Sequence, residues 1–113
     1  MENKRIWDEF KLFYGISKDL EFINKTRTQM LFNGKLYICA EDETDIIIPH
    51  DPEKYSEIYF VTGNPNIITF IRHNCPEYGC FCYADNYGLG YLYIVTAPIH
   101  KKQKGSIKRI LGL

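Results

Sequence analysis

The spacing of hydrophobic residues near the N-terminus is helical. Ile6, Phe10 and Tyr14 recur on one side, with charged residues opposite, which predicts an amphipathic helix. Gly15 fits the left-handed position that ends such a helix. Ser17 stands where it would cap a short second helix, so one or two helices are expected before the first strand.

After Thr26 the hydrophobic period changes to two, which is the spacing of strands. Asn33-Gly34 between two apolar runs predicts a β-hairpin with a type I′ turn, pairing Phe32 with Lys35. One face then carries Leu31, Leu36, Ile38 and Ala40, and the other carries Met30, Phe32, Tyr37 and Cys39. Because both faces are apolar, the hairpin is either covered on both sides or presents one side to a partner.

Further strand-like segments lie at residues 45–48, 57–62, 67–72, 80–84 and 87–97. Turn residues rather than long helical patterns separate them, which favours antiparallel pairing. We therefore predict one α+β domain over residues 1–113, with an N-terminal helix, or two, packed on a mostly antiparallel sheet of about five to seven short strands. The basic segment 100–113 is expected to be flexible or a short helix.

Composition supports a folded domain of this size. The chain has 113 residues, of which 45% are hydrophobic and 15% aromatic, as in globular proteins. Its apolar runs are too short to cross a membrane, and its first residues do not resemble a secretory signal. We expect a cytoplasmic protein without membrane contact, in which cysteines are thiols or metal ligands more often than disulfides.

The net charge is zero, but it is unevenly distributed. Residues 41–57 contain seven acids against Lys54 alone, whereas residues 100–113 are basic and contain no acid. Charge runs usually solvate loops and tails, and the sharper hypothesis is that one of them is a docking surface.

Three of the four cysteines lie close to a histidine, at His73, Cys75, Cys80 and Cys82. Four soft donors are enough for a tetrahedral zinc site, but the Cys-x2-Cys spacing of common zinc knuckles is missing. Cys75 and Cys80 are also close enough in sequence for a disulfide. The favoured interpretation is reduced structural thiols and no cofactor, with zinc as the alternative.

The chain contains no phosphate-binding loop, nucleophile elbow or zinc-protease segment, and Gly88-Leu-Gly90 without a third glycine is a weak motif. We therefore predict that the protein is not an enzyme.

The leading hypothesis is a small protein-binding or inhibitor protein, because tyrosine is abundant and tyrosine is enriched at interfaces. Its partner would be another protein, and a nucleic-acid-processing host protein fits because carboxylates can stand in for phosphates. Size and the missing catalytic motifs suggest a phage or mobile-element origin, and a homodimer through the hairpin or a strand edge is a further hypothesis. The predicted partner-binding residues are Glu41, Asp42, Glu43, Asp45, Tyr78, Tyr83, Tyr87, Tyr91 and Tyr93.

Two alternatives remain. A nucleic-acid-binding domain would use sheet aromatics and the basic C-terminal residues Lys101, Lys102, Lys104, Lys108 and Arg109. A zinc or thiol module would centre on His73, Cys75, Cys80 and Cys82.

Overall fold

A computed structural model of the chain describes residues 2–80 and 92–98, which fold as a six-stranded sheet covered by a pair of helices. The helices are α1 (Glu2–Tyr14) and α2 (Pro65–Asn74). The strands are β1 (Glu21–Phe22), β2 (Gln29–Phe32), β3 (Lys35–Cys39), β4 (Glu57–Thr62), β5 (Gly79–Cys80) and β6 (Tyr93–Ala97). The α+β prediction is confirmed.

The strand order is β1-β2-β3-β4-β6-β5, so the longest strands lie in the middle and two-residue strands form the edges. Every neighbouring pair is antiparallel except β3 and β4, which run parallel from Lys35 beside Glu57 to Cys39 beside Val61. A parallel pair cannot be joined by a tight turn, so a long connection returns the chain from the end of β3 to the start of β4.

The first helix ends as its sequence predicts. Gly15 has a φ of +67°, and the Ile16 amide donates to the Lys11 carbonyl at 2.9 Å. The second helix predicted from Ser17 was wrong, because residues 16–20 are irregular and lead directly into β1. A short segment gains little from isolated helix formation, and here it brings Glu21 and Phe22 into register with β2.

The hairpin prediction is confirmed in turn and register. Asn33 and Gly34 have φ angles of +54° and +78°, as a type I′ turn requires, and Phe32 pairs with Lys35. A side chain on Gly34 would therefore strain the turn.

The predicted strand at residues 45–48 was wrong. Glu43–Asp45 forms a 3-10 turn, followed by irregular backbone. Asp42 caps this turn and Asp45 bonds back to it, and these local bonds compete with strand pairing. Ile46 and Ile48 nevertheless pack inward, so the apolar run is used without a strand.

The predicted strand at residues 67–72 was also wrong, because these residues belong to α2. The Asn64 side chain caps the helix by accepting from the Asn66 amide at 3.0 Å, and Pro65 occupies its first turn. Ile67, Ile68 and Ile71 recur at helical spacing and are buried. The helix forms because its start signal and its apolar face agree.

Towards the C-terminus, the structure describes two strands that overlap the predicted ones. Only Gly79–Cys80 and Tyr93–Ala97 are described as strands there, and they pair with each other. The rest of the predicted segments 80–84 and 87–97 lies partly in residues 81–91, outside the described residues, as does the basic segment 100–113. No helix among residues 2–80 and 92–98 is long and apolar enough to span a membrane.

The sheet has two buried faces, which we call the α1 face and the α2 face. Side chains alternate between them along each strand, as the hairpin pattern predicted. The core of the α1 face consists of Ile6, Trp7, Phe10, Met30, Tyr37, Cys39, Val61, Leu92 and Ile94. The core of the α2 face consists of Leu36, Ile38, Ala40, Ile58, Phe60, Ile67, Ile68, Ile71, Val95 and Ala97. The hairpin is thus covered on both sides within one chain.

Candidate protein-interaction surface

The predicted acidic residues lie in the connection between β3 and β4, which we call the acidic connection (residues 41–56). It begins with Glu41, Asp42 and Glu43, all exposed, at the end of β3. The parallel pairing of β3 with β4 requires a long connection, and the acids lie in this connection rather than in the paired strands. The connection therefore carries six acidic side chains against one lysine away from the strands.

Two of the four predicted acids shape the loop. Asp45 Oδ2 accepts from the backbone amides of Glu41 at 2.8 Å and Asp42 at 3.2 Å. Asp42 Oδ1 accepts from the Thr44 hydroxyl at 2.5 Å and its amide at 2.9 Å, and these bonds hold the pKa of Asp42 below its usual value. Glu41 and Glu43 are exposed and remain accessible to a partner.

The three isoleucines of the acidic connection point in different directions. Ile46 and Ile48 pack against the α2 face, whereas Ile47 between them is 65% exposed, the highest value among the large hydrophobic residues the structure describes. Buried Pro52 and half-buried Tyr55 fix the far end of the loop. Ile47 is thus held outward by anchored neighbours, and acids precede and follow it.

The predicted tyrosines do not form a second exposed patch in the described residues. Tyr78 and Tyr93 pack against the α2 face, and Tyr78 stacks on Phe60 with ring centroids 6.0 Å apart. Burial raises the pKa of Tyr78. Both tyrosines contribute to packing. Tyr83, Tyr87 and Tyr91 lie outside the described residues.

The alternative metal site is only partly covered by the structure. His73 is exposed in the last turn of α2, and Cys75 follows that helix. Cys80 belongs to β5, and Cys82 lies outside the described residues. Within residues 2–80 and 92–98, no three His, Cys, Asp or Glu side chains are grouped to hold a metal ion. Burial raises the pKa of the Cys75 thiol, which disfavours its thiolate.

The nucleic-acid alternative needs exposed rings on the sheet. Tyr37 and Tyr59 do stack, with centroids 4.9 Å apart and planes at 10°, but Tyr37 is buried beneath α1. Tyr59 also donates a hydrogen bond to Glu57, whose carboxylate would repel phosphates. The basic residues Lys101, Lys102, Lys104, Lys108 and Arg109 lie outside the described residues.

Sequence reasoning missed a cavity of about 420 Å³ where β3 and β4 end. It is lined by Glu41, Thr62, Gly63 and Asn64, among others. Local side chains already bond to the amides at the start of α2. Thr62 Oγ1 accepts from the Asn64 amide, and Asn64 Oδ1 accepts from the Asn66 amide. Because these amides are bonded and the Glu41 carboxylate lines the cavity, it is a poor anion site.

A larger groove of about 710 Å³ between α1 and the β1–β2 segment was also missed. Trp7, Leu20 and Phe22 contribute its apolar lining. Trp7 is the single tryptophan of the chain, and its place on the predicted helix was the one sequence feature that could have pointed to this groove.

In comparisons with known proteins, no family model, no curated protein and no solved structure matches this chain.

Proposed function

We propose that this chain is a non-enzymatic protein-binding protein of the inhibitor type, which acts through the acidic connection. The observation that carries the proposal is Ile47, 65% exposed and flanked by a run of acids in a loop fixed by its own hydrogen bonds. A preorganised loop loses little conformational freedom on binding, which favours affinity.

The chemistry of this surface defines its partner. Burying an isoleucine side chain on a partner is worth about 1.5–3 kcal/mol, so Ile47 requires an apolar pocket. Exposed Glu41 and Glu43 require basic residues around that pocket and would speed association. A nucleic-acid-processing host protein has such basic surfaces, which is why we propose one as the partner, with a cytoplasmic location and a phage or mobile-element origin.

Site-specific photocrosslinking tests the proposal. A crosslinking residue at position 47 is compared with one at position 23, because Ile23 is also exposed, at 43%, but follows β1. We expect position 47 to capture one protein at stoichiometric yield and position 23 to capture none.

Purified captured protein then supplies the quantitative test. Ile47→Asp is expected to weaken binding by about tenfold or more, since it places a charge in the apolar contact. Ile23→Asp should leave the affinity unchanged, and added salt should slow association. Equal capture at both positions, or binding indifferent to Ile47→Asp, contradicts the proposal.

A further inference from the structure

The groove beside α1 combines an apolar lining with basic residues. Trp7 and Phe22 meet edge to face in it, with ring centroids 5.6 Å apart. Lys4, Lys11 and Arg27 line it as well, against Asp8 and Asp19, which leaves one net positive charge. Lys4 pairs with Asp8 at 2.9 Å, so the net positive charge comes from Lys11 and Arg27 against Asp19.

The wall of the groove is rigid. The Trp7 indole Nε1 donates to the Arg27 carbonyl at 2.8 Å and ties the β1–β2 turn to α1. Arg27 has a φ of +59°, a conformation that non-glycine residues rarely adopt unless their surroundings impose it. Its guanidinium lies 4.7 Å from the centre of the Phe22 ring.

The turn itself is held by one side chain. Asn24 Oδ1 accepts from the amides of Thr28 and Gln29, each at 3.1 Å, and Asn24 Nδ2 donates to the Thr28 hydroxyl at 2.7 Å. The groove therefore exists with a fixed shape before anything binds, as ligand-binding clefts usually do.

We propose that this groove receives the acidic connection of a second copy of the chain. Ile47 would enter between the apolar side chains, and the exposed acids would face Lys11 and Arg27. The two surfaces are opposite in charge and both carry apolar area, so they satisfy the requirements of a specific contact.

The contact joins different molecules because the two surfaces lie on opposite sides of the sheet. Ile46 and Ile48 anchor the acidic connection to the α2 face, whereas Trp7 places the groove on the α1 face. Because the loop and the groove lie on opposite sides, the contact cannot be made reciprocally by one pair of molecules, so it is heterologous and produces chains or rings rather than a twofold dimer. Since the proposed function uses the same loop, partner binding and self-association exclude each other.

Sedimentation of the full chain over a wide concentration range tests this inference. The average mass of the unmodified chain is expected to rise past that of a dimer and to fall when salt is added. Ile47→Asp removes the loop contact and Lys11→Glu removes the groove contact, and each alone should weaken association by about tenfold or more. Lys18→Glu, at an exposed position outside the groove lining, is the matched control and should associate normally.

Mixing the two variants gives the decisive result. Ile47→Asp keeps an intact groove and Lys11→Glu keeps an intact loop, so an equal mixture should form heterodimers and nothing larger. Circular dichroism checks that both variants fold. A chain that stays monomeric at all concentrations, or a mixture that stays monomeric, overturns the inference. The proposed function survives either result if Lys11→Glu still binds the protein captured at position 47.

Discussion

The two faces of the sheet are covered by helices in chemically different ways. On the α1 face, the rings of Trp7 and Phe10 pack edge to face with centroids 5.7 Å apart, and those of Phe10 and Tyr37 with centroids 4.8 Å apart. Aromatic rings therefore dominate the packing of this face. On the α2 face, Ile67, Ile68 and Ile71 lie against strand side chains that are mostly aliphatic. Tyrosine and tryptophan rings bring polar atoms with them, whereas aliphatic side chains do not.

Polar groups are accordingly concentrated on the α1 face. Glu9 is fully buried there, the Tyr37 and Tyr14 hydroxyls bond to each other, and Tyr59 bonds to Glu57. The α2 face also carries tyrosines, such as Tyr78, but its core is built mainly from aliphatic side chains. A single alternating hairpin can thus serve two cores, one mainly aliphatic and one in which tyrosine hydroxyls bond to neighbouring side chains.

The largest expected effect tests whether the two faces form one cooperative unit. Phe10 on the α1 face and Phe60 on the α2 face are both fully buried. Phe10→Ala and Phe60→Ala should each lower the free energy of unfolding by about 3–5 kcal/mol, through lost burial and the cavity left behind. Urea unfolding followed by circular dichroism should show one transition in both variants. Two separate transitions in either would show that the faces unfold independently.

A smaller loss of stability is expected from a substitution at Gly63, where α1 crosses the end of β4. A Cβ on Gly63 would lie 2.8 Å from Ile6 Cδ1 and closer still to Arg5 Nη2, so Gly63→Ala forces these two side chains of α1 to move. We expect a loss of about 1–3 kcal/mol in urea unfolding. Gly79→Ala is the matched control, since its Cβ would meet Thr96 Cβ at an ordinary 3.8 Å. Equal losses in the two variants would contradict close packing of α1 on Gly63.

The role of hydrogen bonds on the α1 face is tested by Tyr37→Phe. This change keeps the ring stacked on Tyr59 and removes the hydroxyl that bonds to Tyr14. The expected loss is about 1 kcal/mol, the usual net value of such a bond. Tyr55→Phe, on the other side of the sheet, should cost less, and an unchanged stability of Tyr37→Phe would mean that packing alone matters on both faces.

The smallest effect appears only at high pH. Burial, together with the hydrogen bond to Glu57, raises the pKa of Tyr59 from 10.0 to about 12. Between pH 10 and about pH 12, Tyr59 has lost its proton in the unfolded chain and keeps it in the folded chain, so the free energy of unfolding falls as pH rises. Below pH 10 the full contribution of Tyr59 to stability is present. Urea midpoints should therefore decline across this range, and less steeply in Tyr59→Phe. A flat profile would argue against a Tyr59 hydroxyl that is half-buried and bonded to Glu57.

The sequence was sufficient to predict the structure where a short motif is compatible with only one conformation. Asn33-Gly34 determined the hairpin, its register and the division of residues between the faces. It failed where two signals competed. Residues 67–72 suit a strand by composition, and Asn64-Pro65 suits a turn between strands. The same pair is also typical of a cap followed by the first helical residue, and that is its role here.

The acidic connection could be located from the sequence, but its shape could not. Acid content located the acidic connection, yet the structural roles of Asp42 and Asp45 depend on the capping box that they form. The exposure of Ile47 depends on how its neighbours meet α2, and the groove depends on where α1 crosses β1. These are tertiary relations between distant segments, which periodicity does not encode.

The parallel pairing of β3 with β4 has a consequence for the order of folding. The β2–β3 hairpin pairs strands that are adjacent in sequence. The pairing of Lys35 with Glu57 closes a much longer loop, and the pairing of β4 with β6 closes a longer one still. Closing long loops slows folding, because their entropy is lost before the contacts form. The bonds from Asp42 and Asp45 shorten the freely moving portion of the acidic connection. We therefore expect the residues that shape the acidic connection also to speed the step that assembles the centre of the sheet.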